Sequence, residues 1–177
     1  LHRRRHSFPT RRSSDLIRSY QALQASGNEV LKKYDLVLAG TWGWECDDIF
    51  SAYEQSPCKE RMHFPGFIAD QDKVALYNLA SVFVYPSLYE GFGFPPLEAM
   101  ACGTPVIVSH SSALPEVVGE AGIIIDPYQP DELLQALSAL LGNQVLLADL
   151  QEKGRERAKV FSWEKSADGT LAVFRAL

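Results

Sequence analysis

Two carboxylates, Glu90 and Glu98, enclose a short run with glycine at 91 and 93 and proline at 95 and 96, reading EGFGFPPLE. An ionised carboxylate has two acceptor oxygens and can take both hydroxyls of a vicinal diol. One of the pair can hold a ribose diol, as an acidic residue does in dinucleotide folds, and the other sugar hydroxyls. Gly91 and Gly93 let the backbone approach a ligand closely and permit positive φ. Proline suits the first turn of a helix, where its missing N–H has no intrahelical partner. A helix start behind a glycine loop attracts phosphate through free N–H groups and the positive end of the dipole. The combination predicts a phosphate-bearing ligand beside residues 91 to 97. Taken alone G-x-G is weak. The blander reading is a solvated Glu90 and a Glu98 that complements the helix dipole.

The elements that must position this segment alternate between strand and helix signals. Asp35 to Gly40, Arg61 to Phe64, Val82 to Tyr85, Pro105 to Val108 and Gly122 to Ile125 are short apolar runs, all but the fourth closed by glycine or proline, which predicts buried strands. A helical stripe starts at Ile17, Tyr20, Leu23 and Gln24. Further helices are expected over Asp47 to Gln55, after caps at Asp70 and Asp131, from Pro95 to Cys102, over about 144 to 160, and after Ser162. Strands alternating with helices predict an α/β fold with a doubly wound, Rossmann-like parallel sheet. Ligands of such sheets bind beyond the carboxyl ends of the strands, where the Glu90 segment falls.

The chain has 177 residues, 46% of them apolar, which suits one globular domain. Its formal net charge is −5, unevenly spread. Residues 1 to 16 hold Arg3, Arg4, Arg5, Arg11 and Arg12 against Asp15 alone, so the rest carries 12 basic and 21 acidic side chains. An acidic body argues against a nucleic-acid partner. The run from His6 to Asp15 resembles a translated sequencing adapter. Residues 1–16 are therefore expected to be a non-native tail, and residues 17–177 the domain. Cys46, Cys58 and Cys102 are odd in number and lack C-x-x-C spacing, so reduced thiols and a cytoplasmic location are expected. No apolar run reaches the roughly 18 residues of a membrane span.

The EGFGFPPLE run resembles the paired-glutamate motif of glycosyltransferase family 4, retaining enzymes of the GT-B fold. The resemblance extends over Ile17 to Leu177. Leu36-Val-Leu-Ala-Gly40 is similar to the family's glycine-ended strand, and Phe64-Pro-Gly-Phe-Ile68 to its base-binding turn. Leu76-Tyr-Asn-Leu-Ala80, Tyr85-Pro-Ser-Leu-Tyr89, Ala99-Met-Ala-Cys-Gly-Thr-Pro-Val106, Leu114-Pro-Glu-Val117, Asp126-Pro127 and Phe161-Ser-Trp163 match in order and spacing.

The resemblance implies the C-terminal, donor-binding half of a GT-B enzyme that moves a hexose from a UDP- or GDP-sugar to a hydroxyl acceptor with retention. It implies Glu98 on the donor ribose and Glu90 on the transferred sugar as a catalytic group. Gly91, Phe92, Gly93 and Phe94 would contact sugar and phosphate, and Leu97 would lie beside the diphosphate. Gly40 and Thr41 would sit near the donor phosphates, with Gly66, Phe67 and Ile68 around the base. No metal or cofactor is expected. The segment's likeness to bacterial mannosyltransferase-like members favours GDP-mannose over UDP-glucose. The family's basic phosphate-binding Arg and Lys lie ahead of the helix at Ile17, as does the acceptor domain. The chain alone is therefore expected to be inactive and to need that missing N-terminal domain as partner, with any membrane contact made through it.

Two alternatives remain: a non-catalytic nucleotide-sugar-binding module, and a GT-B sugar-nucleotide epimerase. Intact Glu90 and Glu98 favour the transferase, and the epimerase lacks comparable matches around residues 86 to 106. His63 and His110 are expected to be ordinary strand-end residues, and Cys102 a small core residue. Trp42, Trp44 and Trp163 are expected to pack rather than to stack on sugar.

Overall fold

The computed structural model describes residues 13–40 and 47–176. Its strands form two parallel sheets. In one, β1 (Leu36–Ala39) pairs with β2 (Met62–Gly66). In the other, β3 (Phe83–Tyr85), β4 (Val106–Ser109) and β5 (Gly122–Ile125) lie in the order β3-β4-β5. Helices occupy the connections, as parallel pairing requires. They are α1 (Ser13–Ala25), α2 (Asp47–Glu54), α3 (Asp70–Leu79), α4 (Phe94–Ala101), α5 (Leu114–Val118), α6 (Pro130–Leu141), α7 (Gln144–Ala158) and α8 (Trp163–Ala176).

β4 explains the layering. Val106, Ile107 and Val108 are fully buried. Ile107 packs in a core with Ile17, Leu23, Leu137 and Leu140. Val106 and Val108 pack in another with Met100, Leu114, Val117 and Val118. Successive residues of a strand face opposite ways, so α1 and α6 cover one face while α4 and α5 cover the other. This is the doubly wound α/β arrangement expected. Burial of every strand on both faces is not observed, however. Val37 in β1 and Ile124 in β5 are exposed, and only β4 is buried at every position.

Several boundaries differ from the sequence expectation for local reasons. α1 already includes Ser13, ahead of the stripe at Ile17, and buries Leu16 with Ile17, Tyr20 and Leu23. β2 continues through Pro65 and Gly66. Among the described residues β2 pairs with β1 alone, and Pro65 falls where the register shifts between Val37 and Ala39, an irregularity at which proline is tolerated. Asp70 and Asp131 are not caps. Ala69 and Gln129 hold the cap positions without side-chain bonds, and the two aspartates lie in the first turns. Asp70 instead pairs with Lys73 at 2.7 Å. The capping role expected of Ser162 is observed, since its Oγ accepts the N–H of Lys165 at 3.2 Å. Asn143 caps α7 through bonds from the Val145 and Leu146 N–H groups, both 3.1 Å.

Candidate functional site

The chain leaves β3 at Tyr85 and enters α4 at Phe94, with Gly93 as the cap residue. Of the two loop glycines only Gly93 takes positive φ, at 108°. A Cβ there would lie 2.7 Å from the Leu114 Cδ2, whereas one at Gly91 would meet nothing within 4 Å. Gly93 is thus needed both for its conformation and for the close approach of α5. Gly91 takes no positive φ and has no such neighbour.

Helix α4 starts one residue earlier than expected, which makes Pro95 and Pro96 its second and third residues. Neither has an N–H, and the Leu97 N–H reaches back to the Gly93 carbonyl at 3.4 Å. The helix start is therefore poor in donors of its own. The main-chain N–H groups nearest the helix start are those of Gly91, Phe92, Gly93 and Phe94, ahead of the two prolines.

Both glutamates are held by phenols. The Tyr85 hydroxyl donates to Glu90 Oε1 at 2.7 Å, and Ser87 Oγ donates to the same oxygen at 2.8 Å. The Tyr77 hydroxyl, brought in by α3, donates to Glu98 Oε2 at 3.0 Å. The Tyr77 carbonyl in turn accepts from Thr104 Oγ1 at 2.6 Å. Phe83 lies between the two tyrosines. Its ring is edge-on to Tyr77 at 5.3 Å and stacked on Tyr85 at 5.8 Å. Three rings therefore run from the anchor of one glutamate to the anchor of the other. Ser112 Oγ donates to the Glu90 carbonyl, and Ser109 Oγ to the Ser87 carbonyl. Sequence reasoning missed these supports, although Tyr85 and Ser87 stand five and three positions before Glu90. Glu90 is half-buried and Glu98 exposed, which leaves both within reach of solvent and ligand.

The remaining predicted residues divide. The Gly40 N–H donates to the Gly66 carbonyl at 2.8 Å, joining the ends of β1 and β2. Phe67 beyond them is 72% exposed, and Ile68 is half-buried. Both precede α3, which carries Tyr77 to Glu98. Thr41, Trp42 and Trp44 fall outside the described residues. Cavities of about 210 and 220 Å³ lie beside Gln21 and Ser51 and beside Tyr34 and Leu147, away from the segment.

Among the charged groups, Lys73 is held above its ordinary range by Asp70, with a smaller contribution from the charge of Glu98. His63 Nε2 meets Asp35 Oδ2 at 2.9 Å, and Arg61 meets the other oxygen of Asp35. Hydrogen bonds from His63 and Arg61 lower the Asp35 pKa. Burial raises the Cys102 thiol, with a further push from Glu98, which makes it a poor nucleophile.

Burial first, and then the hydrogen bond to Glu90, pushes the Tyr85 phenol far above its ordinary value of 10.0. Burial and Glu98 do the same at Tyr77, and burial takes Tyr20 to about 12. A raised folded pKa stabilises fully below the unfolded value and is lost as pH rises through the folded one. These tyrosines are therefore expected to make the melting temperature fall above about pH 10. Tyr85→Phe should make that alkaline fall shallower when melting is followed across pH 8 to 12; an unchanged slope would remove Tyr85 from this account.

Sequence comparison places this parallel α/β domain, with its glycine loop and two anchored carboxylates between β3 and β4, within one family. The family model "Glycosyl transferases group 1" matches residues 8–157, and the chain belongs to that family. The O-antigen chain mannosyltransferase B of Escherichia coli is 38% identical over 173 residues, covering 96% of this chain and 44% of that protein. The sucrose-phosphate synthase of Thermosynechococcus elongatus superposes with a TM-score of 0.76 at 30% identity, over 94% of this chain and 43% of that one. A TarM variant of S. aureus, crystallised with Fondaparinux, alpha-GlcNAc-glycerol and UDP, superposes at 0.80 with 21% identity, over 94% of this chain and 33% of that one. This last likeness is one of fold. The chain thus spans less than half the length of these relatives. The GT-B-type α/β fold expected from the sequence agrees with these neighbours.

Proposed function

We propose that this chain is the donor half of a retaining, family 4-type glycosyltransferase that moves a hexose from a nucleoside diphosphate to a hydroxyl acceptor. The observation that carries the reading is the pair of phenol-anchored carboxylates on either side of the Gly91–Phe94 amides. Glu98, with Oε2 taken by Tyr77, offers its other oxygen and remaining lone pairs to the ribose diol. Glu90 faces the transferred sugar. The loop amides and the α4 dipole stabilise charge building on the departing diphosphate, the role that preorganised donors play in catalysis. No metal enters this reading. The bond from the anomeric carbon to the diphosphate breaks as one to the acceptor oxygen forms, and the acceptor proton passes to a phosphate oxygen.

Gly40, Thr41, Gly66, Phe67 and Ile68 complete the donor site in this proposal, at the phosphates and the base, with Leu97 beside the diphosphate. The mannosyltransferase names among the relatives support mannose as the transferred sugar, and we propose GDP as its carrier. As the chain covers 44% of the E. coli relative, we assign acceptor binding to a further domain and expect no transfer by this chain alone. The enzyme is placed in the cytoplasm, with any membrane contact through that domain.

Calorimetric titration of the chain with GDP, UDP and ADP tests the reading. Binding of GDP more tightly than UDP is expected. Binding of none of the three would overturn the donor site.

A further inference from the structure

The Gly91–Phe94 loop touches an element that the donor reading does not use. Phe92 packs edge-on against Phe161 with centroids 5.7 Å apart, and Phe94 stacks on Trp163 at 6.0 Å. Phe92 and Phe94 themselves lie 4.9 Å apart, so four rings form one cluster. Phe161 and Trp163 sit at the junction of α7 and α8. That junction is fixed from the far side by Arg157. Its guanidinium lies 5.0 Å over the Phe161 ring and donates to the carbonyls of Val117 at 3.0 Å and Glu116 at 2.5 Å. Helix α8 beyond Trp163 buries none of its described side chains. The loop is thus braced on one side by Leu114 and Ser112 and on the other by two rings from the base of an otherwise unpacked helix.

The geometry points to Phe161 and Trp163 as positioning residues for the donor loop. Amides recognise an anion only while they point at it, and side chains at 92 and 94 fix the peptide planes between them. The rings of Phe161 and Trp163 hold those side chains, so they set the direction of the loop N–H groups without touching the ligand. A displacement of α8 that pulls Trp163 off Phe94 would release the loop. In this way the base of α8 is coupled to donor affinity, an extension that rests on the donor reading above.

Backbone order parameters of the amides at 91 to 94, measured by nitrogen relaxation on the whole chain, test the brace without any ligand. The loop is expected near the rigid value of about 0.85 in the unaltered protein and toward about 0.6 in Phe161→Ala and Trp163→Ala. Trp163→Phe should retain order, and Phe174→Ala, farther along the same helix, should change nothing. Unchanged order in both alanine variants would overturn the inference. Titration with GDP and UDP tests the coupling. The alanine variants should bind roughly fivefold more weakly or worse, the effect of losing an aromatic pair. Unaltered protein that binds neither nucleotide would sink the donor reading, while the brace would stand or fall on the order parameters. Equal affinity in the variants would sink the coupling alone.

Discussion

Replacing Gly93 by alanine is expected to destabilise the domain by about 2–4 kcal/mol and to weaken nucleotide binding at least roughly tenfold. Two costs add. The backbone at Gly93 sits at φ 108°, where an L side chain is strained. The new methyl group also lies 2.7 Å from Leu114 Cδ2. A leucine methyl can usually move aside, but Leu114 is fully buried among Val117, Val118 and Met100 and has little room. In a domain of this size the melting temperature should fall by roughly 5–15 °C. Gly91→Ala makes the control, since a methyl group there would meet no atom within 4 Å and the φ of Gly91 is ordinary. It should stay within about 0.5 kcal/mol of the unaltered chain. Denaturant unfolding of the pair checks this, and equal stabilities would show that Gly93 is not the constrained position.

Glu98→Gln is expected to leave the fold intact and to raise the dissociation constant for a nucleoside diphosphate about 10- to 100-fold. The side chain is exposed, so its loss of charge costs little in stability. Its bonds to a ribose diol would be charge-assisted, about 1.5–3 kcal/mol in total, and a glutamine supplies one acceptor oxygen where the carboxylate supplies two. Glutamine must also share that oxygen with the Tyr77 hydroxyl, which donates to Glu98 Oε2 at 3.0 Å. Melting and calorimetry on the same sample separate the effects. An unchanged dissociation constant with unchanged melting would detach Glu98 from the ribose.

What could be read from the sequence follows from the range of the interactions concerned. The βα alternation is local and periodic, and β1, β4 and β5 lie where their apolar runs stand. Glu90, Gly93 and Glu98 were visible because their chemistry is packed into nine consecutive residues. The anchoring of Glu98 was not, because Tyr77 reaches it from another helix, 21 positions away. Phe161 and Trp163 meet the loop across some 70 residues, a closure that no local pattern encodes. α5 escaped notice as a helix because five residues are too few to show a period. The misplaced caps share one cause. Asp70 and Asp131 favour a helix start by charge, and a first-turn acid satisfies that preference as well as a cap does.

Two adjacent prolines at the start of α4 have a bearing on how this surface tolerates change. With no N–H at 95 or 96, the groups that face the diphosphate in the proposed donor site belong to the main chain of the four residues before them. Main-chain groups are the same whatever side chain is attached. An exchange at 91 that keeps the peptide planes in place should therefore be nearly silent, while a change that tilts those planes, such as loss of the ring at 92 or 94, should be felt even from a distance. Over evolutionary drift such a surface would be guarded by the shape of its loop, and the letters spelling it would be free to vary wherever that shape survives.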